Sequence, residues 1–229
     1  RSGFQVPVLS LSGSQDVFRY RVFSFVGGSD QWILNDSLLG VPSPFFLVWP
    51  DRYYHTSGDT PDKCDPTQLK RSSFIGAAAA AYLMDDSPDK ARRLAGEVFA
   101  RAGSRMALEK KRSYGVINNA GDGASLHDAY KEAVNIVEQS ARHETATMAS
   151  VTSYSKKDAS VDEYVDRLIE KLRSRKEESL EDLEEYYEMT CGAADVSPRK
   201  ISLTAEETEA DKKVPVRNPD LKGPVGRGF

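Results

Sequence analysis

His55 is the residue best placed to do chemistry, and the chemistry its type allows is metal ligation. It stands in the turn Tyr54-His55-Thr56-Ser57-Gly58-Asp59-Thr60, between an apolar run and a helix start. A neutral imidazole nitrogen is a common ligand for zinc. Upstream, Phe45-Phe46-Leu47-Val48-Trp49 is unbroken and apolar, which predicts a strand buried on both faces. Downstream, Asp65-Pro66 predicts a helix N-cap and first helical residue, because the carboxylate accepts an orphan amide where proline needs no donor. In α/β proteins ligand sites gather outside the carboxyl ends of strands, and this turn is such a loop. A lone histidine in a turn is more often a surface or hydrogen-bonded residue than a ligand. Zinc takes three or four protein ligands, and neither a His-Glu-x-x-His nor a Cys-x-x-Cys occurs here.

Three segments carry more than spacing does. They are Gly27-Gly28-Ser29-Asp30-Gln31-Trp32, Gly40-Val41-Pro42-Ser43-Pro44-Phe45-Phe46, and Trp49-Pro50-Asp51-Arg52-Tyr53-Tyr54-His55-Thr56-Ser57-Gly58-Asp59-Thr60. In order and spacing this stretch, roughly residues 20 to 85, resembles the C-terminal end of the M28 family of zinc aminopeptidases, in the larger variety with a helical C-terminal extension. There a Ser-Asp-His element precedes a Gly-(Ile/Val)-Pro strand, which leads to a Tyr-His-Thr-x-x-Asp-Thr turn.

The resemblance implies that His55 is the last ligand of a two-zinc centre that hydrolyses peptide bonds. In such a centre two zinc ions about 3.5 Å apart polarise the scissile carbonyl and acidify a bridging water. Asp30 and Asp59 become candidates for orienting the imidazole or facing substrate. Asp59 suits a turn cap as well, and Asp30 suits a cap on the segment after it. Two departures stand against the pattern. Gln31 occupies the place where the family commonly has histidine, and it cannot titrate. The family's remaining ligands and its general-base glutamate lie upstream of the Ser-Asp-His element, yet among the 28 residues before Ser29 the one carboxylate is Asp16. With Arg1 at the start, the expectation is a C-terminal fragment that needs a missing N-terminal peptidase portion as partner and is inactive alone. The family setting points to a secreted or periplasmic location, while two cysteines, Cys64 and Cys191, leave the compartment open between a free pair and a bridge.

Those residues need a scaffold, and composition divides it. Both tryptophans and most phenylalanines fall in residues 1–85, whereas the chain beyond is charged and helical in pattern. The predicted fold is an α/β fragment, the C-terminal strands and helix of a sheet domain over 1–85, followed by an α-helical bundle extension over 86–193 and a proline-containing loop or disordered tail over 194–229. Strands are expected at Val6–Leu11, Val17–Phe25 and Phe45–Trp49. A net charge of −4, with 31 basic against 35 acidic residues, argues against a nucleic-acid surface. The longest apolar run, Phe74 to Met84, is too short to span a bilayer, so no membrane segment is expected.

Helices are predicted over 66–84, from Pro88, from a Ser125 cap to about Met148, and from a Ser160-Val161-Asp162-Glu163 capping box. The first helix is expected to pack on the sheet through a small-residue face of Leu69, Ser73, Gly76, Ala77 and Ala80, and the expected apolar stripes of the others are Leu94, Val98, Ala102, Met106 and Leu108; then Ala129, Ala133, Ile136, Val137 and Ser140; then Val161, Val165, Leu168, Leu172, Leu183 and Tyr187. His127 and His143 share a helix but stand about 24 Å apart along its axis, too far to share a metal. The acidic run Glu177 to Glu188 reads as a solvated face. A second reading makes the helices an interaction or scaffold module, with homo-oligomerisation through them, attached to a metal-free peptidase remnant.

Overall fold

The computed structural model describes residues 20–23, 27–36, 39, 41–121, 123–155 and 158–213. The chain divides into two units, Arg1–His55 with Pro215–Phe229, and Thr56–Val214.

In the first unit the described residues form one short helix, α1 (Gln31–Leu34), and a stretch without regular structure over 41–48. Asn35 joins them. Its side-chain amide donates to the Gln31 carbonyl at 2.8 Å and the Ser43 carbonyl at 3.0 Å, while its Oδ1 accepts the Ser43 N–H at 2.9 Å. The Val41 N–H completes the junction by donating to the Leu34 carbonyl.

The α/β expectation is overturned: the described residues contain helices and turns and no strand. Phe45–Trp49 pairs in no ladder, has no regular structure over 45–48 and bends at Trp49, and its side chains are 43–71% exposed. A strand exists only where a neighbour takes its N–H and C=O groups. An unbroken apolar run reports a tendency to be covered, and no neighbour is supplied by the described residues. The predicted strand Val6–Leu11 lies outside the described residues, as does most of Val17–Phe25, of which 20–23 are described and are not strand.

The second unit is helical: α2 (Pro66–Leu83), α3 (Pro88–Asn118), α4 (Gly123–Ala149), α5 (Ala159–Ala193) and α6 (Ala205–Asp211), with 3-10 turns at Pro61–Lys63 and Ser150–Tyr154. Side-chain partners give the topology of the bundle. Arg105 meets Glu144 and Ser113 meets the Ala133 carbonyl, so α3 and α4 run antiparallel. Arg92 meets Ser160 and Lys110 meets Asp182, so α3 and α5 run parallel. The result is an up-down-up three-helix bundle with short connections.

Its core has two clusters. One joins Ala95, Ala102 and Met106 of α3 to Met148 of α4 and Val161, Val165, Leu168 and Leu172 of α5. The other joins Ile117, Leu126, Tyr130, Ala133 and Val137 to Leu183, Tyr187 and Cys191. The predicted α5 stripe is buried throughout. On α4 the buried side chains are Leu126, Tyr130, Ala133, Val137, Ala141, Glu144 and Met148, so that Ala133 and Val137 of the predicted stripe are buried and Ala129, Ile136 and Ser140 half-buried; on α3 Leu108 is 64% exposed, and on α2 Leu69, Ser73, Ala77 and Ala80 of the predicted packing face are exposed. Gly123 opens α4 where a Cβ would come within 2.7 Å of Val196, so the glycine permits close approach of the segment after α5.

Caps explain the helix starts. Asp65 accepts the Thr67 N–H at 2.7 Å and the Gln68 N–H at 3.4 Å, with Pro66 first in α2, as the sequence predicts. The cap of α5 is Asp158, which takes the Ser160 and Val161 amides, and not the predicted Ser160–Glu163 box. Ser125 lies inside α4 and accepts the Gly121 N–H. A capping box does occur in the predicted loop, at Thr204 and Glu207 of α6. Lys131 of α4 clasps that segment, donating to the Ser202 carbonyl and pairing with Glu207. No helix among the described residues is long and apolar enough to cross a membrane.

Candidate functional site

His55 closes the first unit in a left-handed backbone conformation, φ 57°. That region disfavours residues with a Cβ, although His, Asn and Asp enter it more readily than most. The turn before it is built by Asp51, whose carboxylate accepts the Tyr53 N–H at 2.9 Å, an Asx turn. Tyr54 supports the imidazole from one side: the two rings stack with centroids 3.8 Å apart and 17° between planes. Trp49 meets Tyr54 edge-on at 5.7 Å. The aromatic ladder Trp49–Tyr54–His55 thus holds an exposed imidazole on a backbone that few residue types adopt.

Past His55, in the second unit, the chain continues as a hydrogen-bonded turn. Thr56 accepts the Gly58 N–H on its Oγ1 and the Asp59 N–H on its carbonyl, and the Thr60 N–H donates to the Gly58 carbonyl. Thr60 also donates its hydroxyl to Asp62, which pairs with Lys63. Those two contacts, the lysine first, hold the Asp62 carboxyl below its usual range. Asp59 is exposed within this turn, where its backbone N–H serves the turn.

Asp30 immediately precedes α1 in a helical conformation, is exposed, and makes no side-chain cap bond, so the expected capping role is not seen. Gln31 opens α1 as a buried side chain. A zinc centre needs three or four converging ligands, and no group of three or more His, Cys, Asp or Glu side chains suited to a metal occurs among the described residues. The described residues therefore do not complete a centre round His55. His127 faces the bundle, its Nδ1 3.5 Å from the Tyr187 hydroxyl, and His143 is exposed on α4. Both cysteines are free, Cys64 exposed and Cys191 buried.

Asp51, Tyr54 and Asn35 were missed as supports. Asp51 had a signal in sequence, an aspartate two residues before the amide it captures. The stacking of Tyr54 on His55 depends on the positive φ, which adjacency alone does not reveal. No family model, curated protein or solved structure matches the chain.

Proposed function

We propose that His55 is a zinc ligand in a two-zinc aminopeptidase centre, and that the other ligands and the general base come from polypeptide beyond the described residues. The observation that carries this reading is the conformation of His55. Strained backbone at a polar, exposed side chain is characteristic of ligand-holding positions, and this one is braced by Tyr54 and by the Asp51 turn. The resemblance of residues 20 to 85 to the zinc aminopeptidases supplies the reaction class, and peptides are the substrate. Bound zinc supplies Lewis acidity and a water that ionises near neutral pH. The contribution of this chain is narrower. His55 offers one neutral nitrogen, Tyr54 limits rotation of its ring, and Asp51 fixes the turn that aims it.

The scaffold reading keeps one supporting observation, the two closed cores of the α3–α5 bundle, which owe nothing to the His55 turn. Metal separates the readings. The polypeptide in which this sequence naturally occurs is expected to bind two zinc ions and to hydrolyse an aminoacyl anilide in a chelator-sensitive way. His55→Ala is expected to lose one zinc and at least about 100-fold in activity. Zinc content and hydrolysis unchanged in that variant would overturn the proposal.

A further inference from the structure

We propose that α2 is a self-association helix, on which two copies of this chain pair antiparallel about a two-fold axis between Ala77 and Ala78. Phe74 of each copy then lies over Ala81 of the other, and Lys70 lies beside Asp85. This does not rest on the zinc reading.

The helix has no buried residue. Its half-covered positions, Gln68, Arg71, Ser72 and Gly76, fall on one side at helical spacing. The opposite face carries Lys70, Phe74, Ala77, Ala78, Ala81 and, just past the helix end, Asp85, all exposed. Phe74 is 73% exposed. A phenylalanine left in water forgoes the favourable burial of its ring. On α3–α5, by contrast, the exposed large apolar side chains among the described residues are Leu108 and Met189.

A second copy fits this face because the face complements itself. An isologous interface must place each feature opposite its match under the two-fold. Reversing the helix about the Ala77–Ala78 centre sets the bulky ring opposite a methyl group and the base at one end opposite the acid at the other. A parallel pairing would set ring on ring and like charge on like. The small residues at the centre let the axes approach to about 8 Å. Asp85 already shares its carboxylate between Lys90 and the Ser87 N–H, so the new ion pair chooses orientation more than it adds affinity. One helix face is smaller than the roughly 800 Å² per partner of a standard interface, so the dimer is weak.

Sedimentation velocity of the full chain, from low micromolar to sub-millimolar concentration, tests the pairing. The average mass is expected to rise with concentration toward twice 25.3 kDa. Phe74→Glu, at a site exposed in the single chain, is expected to remain monomeric with an unchanged circular dichroism spectrum. Lys70→Glu and Asp85→Lys each make both junctions of a homodimer repulsive and are expected to weaken association about tenfold, whereas mixing the two variants restores both junctions and the wild-type affinity. A chain that stays monomeric throughout, a dimer indifferent to Phe74→Glu, or a mixture no tighter than its components would each overturn the proposal.

Discussion

Arg105 and Glu144 form a bidentate ion pair across α3 and α4, with Nε to Oε1 and Nη2 to Oε2 both at 2.6 Å. The glutamate is 2% exposed, and the arginine reaches in from the surface to meet it. The charge-assisted bonds that Arg105 donates to Glu144 raise the guanidinium above its usual pKa. Arg105→Ala strands a buried carboxylate and is expected to cost about 3 kcal/mol in denaturant unfolding. The double variant Arg105→Met, Glu144→Leu removes both charges and is expected to fall within about 1 kcal/mol of wild type. A single variant as stable as the double would show that water, not Arg105, satisfies Glu144.

The bundle was readable from sequence where the physics is local. The α5 stripe from Val161 to Tyr187 repeats at 3.6-residue spacing, and a helix that long must bury such a stripe. The start of α2 was equally clear, since Asp65-Pro66 satisfies one amide and dispenses with another. Phe45–Trp49 failed for the opposite reason: a strand is a relation between two segments, and one segment does not encode its partner. The α5 cap is Asp158 because its carboxylate takes two amides at once, whereas Ser160 matches a capping pattern but gives its hydroxyl to Asp158. At the candidate site, His55 was found by type and position, but its left-handed backbone and its stack on Tyr54 arise from the geometry of the turn.

The clasp between α4 and α6 is expected to respond to acid. Lys131 first, and then the Thr204 N–H, hold the Glu207 carboxyl below its ordinary value of 4.5. A depressed carboxylate stabilises the folded form above its unfolded pKa, and that contribution disappears as pH falls through the lower, folded value. The protection of the amides across 204–211, their exchange rate relative to that of an unstructured chain at the same pH, is therefore expected to be retained above the ordinary value of 4.5 and to be lost as the pH falls below it, while the α3–α5 core remains protected. Glu207→Gln should bring that loss of protection to neutral pH. Exchange insensitive to that change would dissociate the clasp from the ion pair.

Two leucines separate core from surface on helices that otherwise look alike. Leu183 of α5 is fully buried between Ile117, Tyr130 and their neighbours, and Leu108 of α3 is 64% exposed. Leu183→Ala is expected to cost about 2–5 kcal/mol, the transfer term plus the cavity it leaves. Leu108→Ala is expected to change stability by less than about 0.5 kcal/mol. Chemical denaturation midpoints of the two variants decide the matter, and equal midpoints would contradict the assignment of α3 faces.

The His55 turn allows the ligand to be removed without removing the turn. At φ 57° glycine is at ease, so His55→Gly is expected to preserve the turn, while a β-branched side chain there pays about 1–2 kcal/mol of steric strain, so His55→Val opens it. Amide exchange of residues 51–60 reads the difference directly. In the zinc-loaded polypeptide the glycine variant is then expected to lose a zinc ion although its turn is intact, which assigns the loss to the imidazole. Asp51→Ala supplies the converse, because it frees the Tyr53 N–H and loosens the turn while leaving the ligand in place. Its zinc affinity is expected to fall about tenfold and not to vanish. If both variants bound zinc as the wild type does, the strained backbone at His55 would belong to the turn alone and not to a metal centre.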